Sequence, residues 1–154
     1  MAIGPDMPDN FSRGYTFDLG NGLQEITRQE VGSWGWAAGG LVSDLTDMKL
    51  CAEAFADGRL LSKELQDEFM NWIPLPVKPG TPQDSFTGLG IVKTRGIVGN
   101  SGGTYGYTSW MWHHPEKKIT LVAFFNQTSA FTNELAEKEQ NKLAELLETI
   151  QRVM

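Results

Sequence analysis

Apolar positions recur first at helical spacing, then in strand-like runs, then at helical spacing again. From Ser43, residues Leu45, Met48, Ala52 and Phe55 share one face of a helix. Ser43 is placed to cap the free amides, Asp44 and Asp47 favour the positive end, and Asp57-Gly58 offers a left-handed exit. The same grammar repeats from Ser62, with Glu64 in the first turn, Leu65, Phe69 and Trp72 on one face, and Pro74 and Pro76 to stop it. Pro79, Gly80 and Pro82 make Lys78 to Asp84 a loop. Before these helices, residues Met1 to Asn10 read as an irregular lead-in, and Gly14 to Leu19 as a short strand closed by the Gly20-Asn21-Gly22 turn. Trp34 to Gly40 mixes very large and very small residues with no period, which suits close backbone approach to a neighbour.

Three strands are expected in the second half: Phe86 to Lys93, Gly106 to His114 and Ile119 to Asn126, the last two joined by a turn at Pro115 to Lys118. The Ile119 run is apolar at nearly every position, so both faces of its sheet need cover. A long helix from Thr132 to Val153, with Leu135, Leu143, Leu146, Leu147, Ile150 and Val153 in a stripe, can cover one.

Composition narrows the function classes. The chain has 154 residues, 40% hydrophobic and 21% charged, with a net charge of -6. That size suits one domain, and the acidic balance excludes a nucleic-acid surface, which needs clustered Lys and Arg. The densest charge, Glu134 to Glu139, mixes signs at helical spacing and reads as a solvated face. Cys51 is the lone cysteine and falls in a helical pattern, so it reads as a small hydrophobe rather than a reactive thiol. No apolar run is long enough to span a membrane, and the first residues lack the pattern of a secretory signal. His113 and His114 are neighbours on an expected strand, so they point to opposite faces and make a poor metal pair; no metal or cofactor is expected. Trp110 and Trp112 share a face and are expected to pack under a helix. Asn10-Phe11-Ser12 and Asn126-Gln127-Thr128 match the glycosylation pattern, which is common by chance.

Three stretches resemble one family in order and spacing. Trp36-Ala37-Ala38-Gly39-Gly40-Leu41-Val42-Ser43 leads into a helix containing Asp47; Gly88-Leu89-Gly90 opens a strand; and Gly99-Asn100-Ser101-Gly102-Gly103-Thr104-Tyr105-Gly106-Tyr107-Thr108-Ser109 precedes Pro115-Glu116 and the Ile119 strand. They resemble segments of the penicillin-recognising serine hydrolases: β-lactamases, D-Ala-D-Ala carboxypeptidases and related esterases. Ser12-Arg13-Gly14-Tyr15 also fits the stretch after that family's second motif.

The resemblance implies an α+β fold of the β-lactamase/transpeptidase type. Residues 1–84 would form a partial helical region with an irregular lead-in. Residues 85–154 would give an antiparallel sheet, about three strands from this chain, with a long C-terminal helix. The family's chemistry needs a Ser-x-x-Lys, in which the amine activates the hydroxyl, a Tyr-x-Asn or Ser-x-Asn, and a Lys-Thr-Gly or His-x-Gly strand that supplies an oxyanion-hole amide. Here no serine is followed three residues later by lysine. Lys49, three residues after Thr46, would point to solvent if Leu45, Met48 and Ala52 face inward, and Lys93-Thr94-Arg95 lacks the glycine. Only the third motif has a counterpart. Asn100 stands where the family has Lys or His, Ser101 takes the next place, Gly102 is the close-approach glycine, and the Gly103 amide would be the oxyanion donor. Tyr105 and Tyr107 are candidates to line the cleft.

The expected function is therefore the C-terminal portion of a serine hydrolase that cleaves an amide, β-lactam or ester through an acyl-enzyme. It would be inactive alone, with no catalytic residue of its own. The complete protein would take a small-molecule or peptide substrate; relatives are often periplasmic or extracytoplasmic. The alternative is a non-catalytic binding or assembly module built on the same fold. A sheet short of strands would leave an edge and an apolar face open, so self-association, or an N-terminal partner segment, is expected.

Overall fold

The computed structural model describes residues 10–18, 22–27, 35–76, 83–104, 106–128, 145 and 149. The chain forms two compact units interleaved in sequence: residues 1–41, 103–108 and 125–154 in one, residues 42–102 and 109–124 in the other.

In the first unit, β1 (Tyr15–Asp18) and β2 (Gly22–Glu25) form an antiparallel hairpin with Tyr15 opposite Glu25 and Asp18 opposite Gly22. β1 matches the expected strand. β2 was not foreseen, because Gly-Leu-Gln-Glu carries one apolar residue and no alternation to read. β9 (Gln127–Thr128) adds to the other side of β1 in parallel. Thr27, fully buried, accepts from the Gly14 amide at 2.8 Å and donates to Glu25 at 3.2 Å, closing the hairpin's open end. The expected aperiodic stretch contains one helical turn, α1 (Trp36–Gly39).

In the second unit, α2 spans Leu45–Ala56. Its cap is Asp44, not Ser43. The Asp44 carboxylate accepts from the amides of Thr46 and Asp47 at 2.8 and 2.9 Å, whereas the Ser43 hydroxyl turns to the Asp44 carbonyl. A charged acceptor serving two amides outcompetes a hydroxyl. Gly58, at φ +69°, makes the expected left-handed exit. α3 (Lys63–Phe69) is capped by Ser62 as expected. It stops before the prolines. Pro74 lies instead in the two-residue strand β3 (Ile73–Pro74). Phe55 and Phe69 stack at 5.5 Å and join the two helices.

Among the described residues the larger sheet has six antiparallel strands, not about three, in the order β3-β4-β5-β6-β7-β8. The expected Phe86–Lys93 strand is two: β4 (Phe86–Thr87) and β5 (Val92–Thr94). Gly88 donates to the Ile91 carbonyl at 2.8 Å, and Gly90 takes φ +72°, so the chain reverses between them. A second reversal follows at once. Arg95 and Gly96 both have positive φ, 48° and 79°, the geometry of a two-residue hairpin turn, with Thr94 opposite Ile97 across it. This delivers β6 (Ile97–Thr104), β7 (Tyr107–His114) and β8 (Ile119–Phe125), the last two close to expectation. Among the described residues Ala52, Ile91, Ile97, Val98, Trp110 and Trp112 are the unit's buried apolar residues. The long helix expected over 132–153 lies outside the described residues except for Glu145 and Thr149. Both are helical and exposed, and the Thr149 hydroxyl donates to the Glu145 carbonyl at 2.8 Å.

Candidate functional site

The glycine-rich segment singled out in the sequence is strand, not loop. β6 runs between β5 and β7, so it is not an edge along its whole length. Its pairing with β5 extends over Ile97, Val98 and Gly99, ending with Val92 opposite Gly99. Burial changes at the same point: Ile97, Val98 and Gly99 are buried, and Asn100, Ser101, Gly102 and Gly103 are exposed. The candidate residues therefore occupy the half of β6 that has outrun β5.

The glycines of β6 serve different ends. A Cβ on Gly99 would stand 2.0 Å from the Met111 carbonyl oxygen and 2.8 Å from the Trp112 Cα. Gly99 is a packing glycine: the backbones of β6 and β7 leave no room for a side chain. At Gly102 a Cβ would meet only the Ser109 hydroxyl, at 3.0 Å, and at Gly103 nothing within 4 Å. No packing of the described residues accounts for the last glycine.

Asn100 is committed within the chain. Its amide nitrogen donates to the Gly90 carbonyl at 2.8 Å and its oxygen accepts from the Ser101 amide at 2.8 Å. It thus ties the emerging strand to the bend between β4 and β5. Tyr107, in the first unit, is also engaged: its hydroxyl donates to the Ser12 carbonyl at 2.7 Å and its ring lies against Gly14. Tyr105 lies outside the described residues. Asn126 donates to the Arg13 carbonyl at 3.0 Å, so its amide is occupied too.

Sequence reasoning missed one polar cluster. The Thr120 hydroxyl donates to Glu53 of α2 at 2.9 Å, which leaves its oxygen to accept from His113 Nδ1, also at 2.9 Å. That fixes the neutral tautomer, with Nε2 buried, unbonded and 3.9 Å from Asp57. Asp57 in turn holds Lys118 at 3.0 Å. Burial lowers the His113 pKa below the ordinary imidazole value, while Asp57 and Glu53 pull the other way. The order Thr-His-Asp has the look of a relay, but the threonine proton goes to Glu53 and the imidazole is 2% exposed. It fastens α2 to β7 and β8. No linear sequence signal announces it, because its parts come from three elements. His114 lies buried beyond the strand's other face and accepts from the Lys117 amide at 3.3 Å. Among the described residues no group of His, Cys, Asp or Glu is arranged to hold a metal. No described helix is long and apolar enough to cross a membrane.

Comparison with known proteins agrees with this architecture. The D-amino acid amidase of Ochrobactrum anthropi SV3, complexed with L-phenylalanine amide, is similar at 26% identity and TM-score 0.71, over 92% of this chain and 43% of its own. The D-stereospecific amidohydrolase of a Streptomyces species is similar at 23% identity and TM-score 0.65, over 79% of this chain and 36% of its own. The chain thus spans less than half the length of these solved relatives. No curated protein matches the sequence. The family model described as Beta-lactamase matches residues 2–145. With the fold, this places the chain in a family of serine hydrolases: it belongs to the β-lactamase family.

Proposed function

We propose that this chain supplies the substrate-side strand of an acyl-transfer site, with the nucleophilic serine and its lysine provided by residues outside the sequence. The carrying observation is the contrast within β6. Gly99 is glycine because β7 demands it; Gly103 faces open space, and a residue without a side chain there lets a substrate approach the backbone. In this reading the Gly103 amide donates to the developing oxyanion, an interaction worth about 3 kcal/mol when one donor is removed from such a site. Gly102 permits the approach, and Ser101 presents its hydroxyl beside it.

Asn100 offers no cation, and both ends of its amide are used. The substrate group it lies near is therefore bound without a salt link from this position. The solved relatives are an amidase and an amidohydrolase, which favours an amide over a β-lactam or an ester. A D-amino acid amide is the first substrate to try. The engagement of Asn100 equally supports the alternative of a non-catalytic module.

Exposed Leu45, Leu50, Leu65, Ile73, Leu89 and Phe124 in the second unit call for cover. Self-association or an N-terminal partner segment would provide it. The test of the chemistry is a labelled penicillin or fluorophosphonate. The chain alone should take up no label, because the covalent route needs a serine activated by lysine. Stoichiometric labelling of the chain by itself overturns the reading.

A further inference from the structure

The His113 cluster holds its ring in an unbalanced state. The Nδ1 proton is used by Thr120, so the neutral ring turns a bare lone pair at Nε2 toward Asp57 Oδ1, 3.9 Å away. Two acceptors gain nothing from facing each other. The same carboxylate oxygen takes Lys118 Nζ at 3.0 Å, and the other has Arg59 Nε at 3.8 Å. The two partners open to Oδ1 differ in their surroundings. Lys118 stands in the turn between β7 and β8 with its side chain 67% exposed, so water can take over from Asp57. The His113 side chain is 2% exposed, so its charged form can be stabilised only by the groups around it. Among the described residues those are Asp57 and Glu53 from α2, Lys118 from the turn, and His114 from its own strand. Glu53 is already shared between Lys49 and Thr120, which leaves Asp57 as the carboxylate able to change partner.

We propose that proton uptake at His113 Nε2 moves the Asp57 carboxylate from Lys118 to the buried ring, so that falling pH frees the β7–β8 turn from the end of α2. The proton comes from solvent and no covalent bond changes. The new Nε2–H needs Oδ1 about 1 Å closer than it stands, to reach the ~2.8 Å of a charge-assisted bond. Asp57 is the C-cap of α2 and its side chain is part-exposed, so the carboxylate is open to solvent on one side. Burial opposes the charge on the ring, while Asp57 and Glu53 favour it and Lys118 and His114 work against it. The exchange draws on none of the acyl-transfer chemistry, so labelling results do not bear on it.

The test is carbon and nitrogen NMR of the full chain from about pH 8 down to acid unfolding, reading the His113 ring nitrogens, Asp57 Cγ and Lys118 Cε. Before the ring charges, its proton should sit on Nδ1. As it charges, the Asp57 and Lys118 signals should shift with the same midpoint, and in H113N neither should move there. D57N removes the ring's counter-charge and should lower the His113 midpoint. K118M removes both a competitor for Asp57 and a repelling cation, and should raise it. Neither replacement is at a buried position, and signal dispersion checks that each variant folds, so this pair carries the test even if H113N does not fold. His114, whose Nδ1 accepts from the Lys117 amide in the same turn, is followed by its own ring signals. A proton on Nε2 of the neutral ring overturns the proposal, as does a ring that takes up no proton while the chain stays folded. So does a Lys118 signal that ignores the His113 midpoint, or a midpoint that D57N and K118M shift the same way or not at all.

Discussion

Replacing Gly99 by alanine puts the close approach of β6 and β7 to a direct test. The new methyl carbon would stand 2.0 Å from the Met111 oxygen, whereas real Cβ contacts do not fall below 3.0 Å. The obstacle is backbone, so no side chain can swing aside, and the strands must part by about 1 Å. A hydrogen bond near 2.9 Å stretched by that amount is lost. Two or three ladder bonds at about 1 kcal/mol each, plus some repacking, give a cost of about 3 kcal/mol. For a chain of this size that is a fall in Tm of roughly 6–12 °C. The assay is urea and thermal unfolding followed by tryptophan fluorescence and circular dichroism, with G103A as the matched control. A Cβ at Gly103 meets nothing, so that variant should lie within about 0.5 kcal/mol of the parent. If G99A is as stable as the parent, or if G103A costs as much as G99A, the division of the β6 glycines into packing and open positions is wrong.

Two further outcomes follow from the polar contacts. Burial holds the folded-state pKa of His113 below its unfolded value, so the unfolded chain binds the extra proton. Stability should be level above about pH 6.5 and fall as pH drops below it; H113N should flatten that dependence between pH 7 and 5, and an unchanged slope would refute the assignment. N100A removes the bonds to Gly90 and Ser101 at an exposed site, and should cost about 1 kcal/mol in urea unfolding. A loss beyond about 3 kcal/mol would show that the residue does more than tie a bend.

Much of the fold was legible because it is written in local terms. Helical spacing with Ser62 and Asp57-Gly58 at the ends marked both helices, and an aromatic-rich run and a nearly continuous apolar run on either side of the Pro115 turn marked β7 and β8. The strand count fell short where punctuation is carried by backbone angles. Arg95 adopts φ 48° without being glycine or asparagine, and only its neighbour Gly96 hinted at a turn. The cap shifted by one residue because Ser43 and Asp44 are both competent, and the choice rests on which oxygen reaches two amides. At the candidate site the order of residues was readable, but the different duties of Gly99 and Gly103 were not. They depend on Met111 and Trp112, which become neighbours only once β7 is laid beside β6. The His113 cluster was hidden for the same reason.

The parallel pairing of β1 with β9 bears on how the molecule assembles over time. Arg13 and Asn126, which meet beside that pairing, are 113 residues apart in sequence. Closing a loop of that size costs about 4 kcal/mol in chain entropy, against about 1 kcal/mol for a short hairpin. During synthesis β1 and β2 emerge first, yet their third strand appears only after the whole six-stranded sheet has left the ribosome. Of the two sheets the small one is therefore the last to become complete, and a nascent chain halted before residue 127 would hold the strands of the larger sheet while the hairpin still lacked its third strand.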